Sequence, residues 1–263
     1  MNSVKPHLNF LMHSYKQWML FIAIFIGIQV ALTIVQAYTM GEEHFKTLAM
    51  YKQQIDTFAI FLPTVSMITI STREFGGAMS IRGDRMSFIK ASIIYIIMIS
   101  LSSLAFAYVV KFGINLMVGG YEEQYADIGS YLIVLNNFIG NNGVIVNLLS
   151  IFSLQLVFCS LGFMFGAIFY NLDIKTSVIL FIGLPIIITF YIVKLAFSHS
   201  SLILKFADYI TNIGMYLCAK PLIFYSLEVV TILISLFLAY LLLRNAPIKE
   251  YAYSKWKIRV FSK

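Results

Sequence analysis

Six stretches of the chain are long apolar runs separated by short polar connections: 18–37, 56–72, 88–112, 144–169, 177–197 and 222–243. Most reach the ~20 apolar residues that a helix needs to cross a hydrocarbon core of about 30 Å. The second is the shortest and carries Pro63, which membrane helices tolerate. None shows the alternating segments of about ten residues that mark the strands of a membrane barrel. The pattern predicts an all-α integral membrane protein with six transmembrane helices, forming one transmembrane domain over residues 1–263.

Ahead of the first run, Leu8, Leu11, Met12 and Tyr15 fall at i, i+3, i+4 and i+7, while Asn9, His13 and Lys16 lie elsewhere on the wheel. This spacing predicts an amphipathic helix over 4–16, lying in the membrane interface with its apolar face among the acyl chains. The first run is full length and lacks a small-residue cleavage site, so it is expected to be retained and not removed as a signal peptide. After Pro247, Tyr251, Tyr253, Trp256 and Phe261 alternate with lysines and arginines, a pattern expected to lie along the same surface.

Composition narrows the class further. Only 12% of residues are charged against 60% hydrophobic, where a soluble domain has about 25% charged. Mean hydropathy is +0.84. Positive charge is retained on the cytoplasmic side of membranes. With the N-terminus inside, thirteen of the nineteen Lys and Arg residues fall in inner segments. The outer segments hold Lys46, Lys52, Lys111, Lys194, Lys205 and Lys220 together with Glu42, Glu43, Asp56, Glu122, Glu123, Asp127 and Asp208. The asymmetry predicts N-in, C-in. It also accounts for the net charge of +7 through topology and anionic lipid, with no nucleic-acid partner required. Cys159 and Cys218 sit at different depths and form no disulfide or metal framework. Gly162 and Gly166, four residues apart in the fourth run, would let another helix approach closely.

The segment from Thr72 to Lys90 joins the second and third runs. It is short, basic and punctuated by Phe75, Met79 and Ile81. With Glu74, the Gly76-Gly77 pair, Arg85 and Lys90, it resembles the permease subunits of ABC-2 type exporters. In that family the second helix ends in an acidic residue, a short coupling helix follows, and a basic stretch leads into the third helix. Family members carry a proline and a serine before that arginine, where Gly83 and Asp84 stand here. The resemblance extends over nearly the whole chain: six spans, an interfacial N-terminal helix, a coupling loop at 73–87 and a longer outer loop after the third span. It implies a dimer, with a second copy or with a similar permease, bound beneath by two ATPase subunits. It also assigns Arg73, Glu74, Phe75, Met79, Ile81, Arg82 and Arg85 to coupling with the ATPase. The chain has no G-x-x-x-x-G-K-[ST] sequence, so ATP and Mg would be bound by the partner and this chain would hold no cofactor of its own.

Polar residues inside the runs form two stripes. Gln29, Thr33 and Gln36 lie on one face of the first helix; Tyr225, Glu228, Thr231 and Ser235 lie on one face of the sixth. Both belong to the outer half of the membrane, and the expectation is that they border a path for substrate. A Glu228 facing lipid would cost roughly 3 kcal/mol, so it must face protein or water. A structural pair of Glu228 with Lys194 or Lys220 is the competing expectation.

An intramembrane enzyme is disfavoured. His7, His13, His44 and His199 lie outside or at the margins of the spans, and no H-E-x-x-H spacing exists. A secondary carrier or channel working without an ATPase is the alternative, but no internal repeat relates the two halves. The resemblance implies an exporter permease in a plasma membrane, and the aromatic-rich helices suit amphipathic peptides or hydrophobic antibiotics. High Ile, Lys and Asn usage points to an AT-rich bacterial source.

Overall fold

A computed structural model of the chain describes residues 4–40, 45–82, 84–118, 144–173 and 220–248, with isolated positions between 176 and 216. The described residues are helical almost throughout, with no strand among them. Four segments, Val4–Leu32, Arg85–Ile114, Leu148–Asn171 and Leu222–Arg244, are long and apolar enough to cross a membrane. By length and composition, these mark a multi-pass membrane chain. Hydrocarbon offers no water to unpaired N–H and C=O groups, so helices are the economical way to satisfy them.

The helices are α1 (Val4–Met40), α2 (Phe45–Thr69), α3 (Phe75–Arg82), α4 (Arg85–Val118), α5 (Val144–Asn171) and α6 (Pro221–Arg244). Of the expected fifth span, 177–197, the described part is a π-helical turn at Ile179–Gly183 and a few isolated residues. Most of it lies outside the described residues, as do the expected outer loop after the third span and the tail from 249 onward.

Two expectations change at the N-terminal end. The interfacial helix over 4–16 and the span over 18–37 are a single helix, α1. Pro6 sits in its first turn, where a missing N–H costs nothing, and neither glycine nor proline interrupts the residues that follow until Gly27. The apolar face of its first turns also meets protein where acyl chains were expected. Leu11 is fully buried, with Leu8 and Tyr15 packed against the same core. The buried stripe of His7, Leu11, Ser14, Ile22 and Ile26 continues into the span.

The second span starts earlier and runs further than its apolar run. After α2 comes a π-helical turn, Ile70–Glu74, and then α3. The Phe75 N–H reaches back to the Ile70 carbonyl, a five-residue step that widens the turn. Hydroxyls supply donors to the carbonyls around it. Ser71 donates to Met67 O at 3.0 Å, and Thr72 donates to Ile68 O at 2.8 Å. One turn earlier, Pro63 has no N–H, so the carbonyl four residues back, Ala59, lacks its helical donor. Gln155 of α5 provides it, with Nε2 donating to Ala59 O at 2.7 Å. The same amide donates to the Ser103 hydroxyl of α4.

These contacts also set direction. Ala59 meets Gln155, and Thr64 and Ile68 meet Gly162 and Gly166, so α2 and α5 run parallel. Ser66 of α2 bonds Tyr95 of α4 at 3.0 Å, and Ser100 of α4 lies beside Cys159 of α5, so α4 is antiparallel to both. Ser150 pairs with Tyr225 and Asn171 with Leu242, which makes α6 parallel to α5. The three central helices are α2, α4 and α5; α1 packs on α2 and α4, and α6 packs on α5 and more lightly on α4.

The Gly162 and Gly166 motif lies at the α2–α5 contact. A Cβ on Gly162 would come within 2.6 Å of the Thr64 carbonyl; one on Gly166 would overlap the Ser71 hydroxyl and approach Ile68 O to 2.6 Å. Backbone cannot yield as a flexible side chain can. Gly166→Ala should therefore destabilise the detergent-solubilised chain by about 1–3 kcal/mol, read as a fall in thermal midpoint. Gly27, which has nothing within 4 Å of a built Cβ, should accept alanine without loss. A second test isolates the proline. Gln155→Leu should cost about 1–2 kcal/mol by stranding the Ala59 carbonyl, and most of that cost should vanish in a Pro63→Ala background, where residue 63 supplies the missing N–H. Equal losses in both backgrounds would refute this account of Gln155.

Candidate functional site

The connection expected to couple to an ATPase, between α2 and α4, is built into one end of the bundle. Phe75 is fully buried, with its ring edge-to-face against Phe88 of α4 at 5.3 Å and Tyr170 of α5 at 5.0 Å. Such aromatic pairs add attraction beyond their buried area. His7 of α1 meets Phe88 from the other side at 6.2 Å. Met79 is buried in the same core, and a Cβ on Gly77 would press the Phe10 ring of α1 at 3.2 Å. Of the residues assigned to ATPase coupling, Arg73 is exposed and Glu74 half-buried. Phe75 and Met79 point into the chain's own core and offer no surface to a partner. The side chains of Ile81 and Arg82 lie outside the described residues.

Arg85 has a specific structural task. The last carbonyls of a helix have no partner within it, and the negative end of the dipole favours a cation there. Arg85 Nη1 donates to Leu243 O at 3.0 Å and also to Arg244 O, at the end of α6. Asn171 Nδ2 donates to Leu242 O at 3.2 Å, and the Tyr170 hydroxyl donates to Pro247 O at 2.8 Å. Side chains from α4 and α5 thus hold the C-terminal end of α6. One residue before Arg85, Asp84 caps α4. Its carboxylate accepts from the Ser87 hydroxyl and, at 3.4 Å, from the Ser87 N–H. The Ser87 hydroxyl bond is the main cause holding the Asp84 carboxyl below its ordinary range.

The two polar stripes lie on helices that pack against different neighbours. Gln29 is half-buried on α1, which packs on α2 and α4, whereas the Tyr225 stripe is on α6, which packs on α5. Within one chain α1 and α6 thus pack on different members of the central three helices, sharing only α4. The side chains of Thr33 and Gln36 lie outside the described residues. On α6, Tyr225 shares a hydrogen bond with Ser150 at 2.7 Å, and Thr231 donates back to Leu227 O at 2.8 Å. Glu228 is 7% exposed, and neither carboxylate oxygen has a hydrogen-bond partner. The anticipated Lys220 partner turns away: its Nζ donates to the Tyr216 hydroxyl at 3.0 Å and lies over that ring. Among the described residues no three His, Cys, Asp or Glu side chains gather as metal ligands would.

Gln155 is the functional-looking residue that the sequence pattern passes over. It is fully buried and touches both α2 and α4. The available signal was an amide in the middle of an apolar run, readable only together with the proline in another span.

Replacing Arg85 with alanine should free the end of α6, seen as faster amide exchange over residues 242–246 with little change in the middle of α6. Asp84 gives a pH dependence. Because its carboxyl titrates lower in the folded chain than in the unfolded one, its contribution is complete above the unfolded value near 3.9 and disappears as pH falls through the folded value. Exchange at residues 85–88 should rise over that acid range, and Asp84→Ala should remove the pH dependence.

No protein-family model, curated protein or solved structure matches the chain, so a functional reading rests on its own residues.

Proposed function

We propose that the chain is the membrane-spanning permease subunit of an ATP-driven exporter, energised by a separate ATPase and paired with a second copy or a similar permease. The observation that carries this reading is α3, a short helix between the second and third long helices, anchored by buried Phe75 and Met79 with Arg73 exposed at its approach. This is where a coupling helix would stand. Phe75 touches α4 and α5, and Gly77 beside it lies under Phe10 of α1, so a push on α3 from below would be passed to three helices through packed side chains, a physical route for coupling two sites. On this reading Arg73 meets the ATPase, and Phe75 and Met79 transmit its movement inward.

The helix directions support the six-span topology. α1, α2, α4 and α5 alternate in direction, and α6 is parallel to α5, so the chain between Asp173 and Lys220 has to return from one end of the bundle to the other. One further crossing satisfies this and places both termini on the same side. The concentration of Lys and Arg assigns that side to the cytoplasm, and the membrane to a bacterial plasma membrane. The substrate class that fits is an amphipathic peptide or hydrophobic antibiotic.

A secondary carrier is the second reading, favoured by the buried acidic Glu228, since ionisable groups inside membrane helices commonly mark transport paths. An affinity purification from mild detergent separates the two. The exporter reading expects an ATPase to co-purify, its recovery to fall several-fold with Arg73→Glu, and Phe75→Ala to retain binding while uncoupling hydrolysis from transport. Recovery of intact chain with no ATPase would overturn it and favour the carrier.

A further inference from the structure

We infer that the α5–α6 contact around Glu228 is a binding site for a positively charged N–H donor, a primary ammonium carried on an amphiphile. The register comes first. The Ser150–Tyr225 hydrogen bond of 2.7 Å aligns two parallel helices, so three residues further along each, Ser153 stands beside Glu228. The Glu228 carboxylate is 7% exposed and both its oxygens lack a hydrogen-bond partner.

The polar neighbours have already spent their protons. The Ser153 hydroxyl, a donor within reach of Glu228 on the facing helix, donates to Ser150 O at 3.0 Å, and one turn along α6 Thr231 donates to Leu227 O at 2.8 Å. A hydroxyl has one proton and two lone pairs. What these groups still offer is acceptor capacity, so among the described residues the surroundings of Glu228 hold more acceptors than free donors. The cations at the ends of α6 are engaged elsewhere: Lys220 is on Tyr216, and Arg85 serves the far end of the helix. A buried carboxylate without a donor is costly. A ligand bringing both positive charge and N–H groups complements the site.

The form of the ligand follows from the same atoms. Divalent calcium takes six to eight oxygen ligands, usually including several carboxylates, and among the described residues no group of three His, Cys, Asp or Glu side chains gathers around Glu228. An ammonium needs only a few acceptors. Exposed Leu227, Val229 and Val230 flank Glu228 on α6, so a molecule arriving there meets apolar surface and would keep an alkyl body beside the helix while its head reaches the carboxylate. Identifying this ligand with the transported substrate rests on the transport reading; the binding itself needs no ATPase.

Dodecylamine and its neutral counterpart 1-dodecanol, each radiolabelled, test this by equilibrium dialysis against the full purified chain in lipid nanodiscs. The expectation is saturable dodecylamine binding, weakened about tenfold or more by Glu228→Gln and several-fold by Ser153→Ala, while dodecanol partitions equally into all three. Peptide mass spectrometry after treatment with a hydrophobic carbodiimide gives a second readout at the residue itself, with dodecylamine expected to protect Glu228 and dodecanol not. Equal dodecylamine binding by wild type and Glu228→Gln would overturn the inference. So would carbodiimide labelling of Glu228 that the amine does not suppress, which would make the site a carrier of a proton alone. Either failure would leave the ATPase purification, and the exporter reading it tests, untouched.

Discussion

Inside a bilayer a backbone carbonyl without a donor cannot borrow one from water, and three features of this chain create such carbonyls. Pro63 strands one in α2, the π-helical turn at Ile70–Glu74 disturbs several more, and α6 ends with its last carbonyls unpaired. Each is answered by a side chain. Gln155 serves Ala59, Ser71 and Thr72 serve the carbonyls before the wide turn, and Arg85 with Asn171 serves the end of α6. The turn is repaired locally, but the proline and the helix end are repaired from other helices. That difference fixes which helices must be neighbours. Between faces that are otherwise Leu, Ile and Phe, many registers would pack about equally well, and a hydrogen bond with one correct acceptor selects among them.

Small residues then decide how close the selected neighbours come. Glycine at 162 and 166 lets α5 lie against the backbone of α2, which brings the Gln155 amide within reach of Ala59. Glycine at 77 does the same for Phe10 of α1 over α3. Close approach and polar repair therefore depend on each other: the amide could not reach across a wider gap, and the glycine contact alone would not set the register.

The sequence makes the helices and the glycine contact legible because both are local. A run of ~20 apolar residues or a four-residue spacing can be read without knowing its neighbours. What escapes is relational. Gln155 matters because of a proline nearly a hundred positions earlier, and Arg85 matters because α6 ends beside it. The resemblance assigns Arg85 to ATPase coupling, and only the folded chain shows that its hydrogen-bond partner is a helix terminus of the same chain. The first turns of α1 misled for a related reason. Amphipathic spacing at Leu8, Leu11 and Tyr15 reports that one face is apolar, but does not distinguish lipid from protein as the medium that covers it, and here the cover is α3 and α4 with their aromatic cluster. How the two polar stripes relate across the bundle depends on helix order in space, which periodicity does not contain.

The two ends of the α5–α6 pair consequently differ in kind. At the C-terminal end every polar exception seen on α6 is answered: Leu242, Leu243, Arg244 and Pro247 all receive a donor from α4 or α5. That end is held by charge-assisted and aromatic contacts from several helices. Sixteen positions before Arg244 on the same helix, Glu228 faces α5 with its carboxylate unanswered. A chain that has met the donor requirement of nearly every awkward carbonyl has left its most demanding acceptor open. Completing Glu228 internally would have taken one lysine or arginine on the facing turn of α5, where Ser150 and Ser153 stand instead. The choice of small hydroxyls at that level leaves the acceptor strength of Glu228 unmet, which is the arrangement expected where the missing donor is supplied from outside the chain.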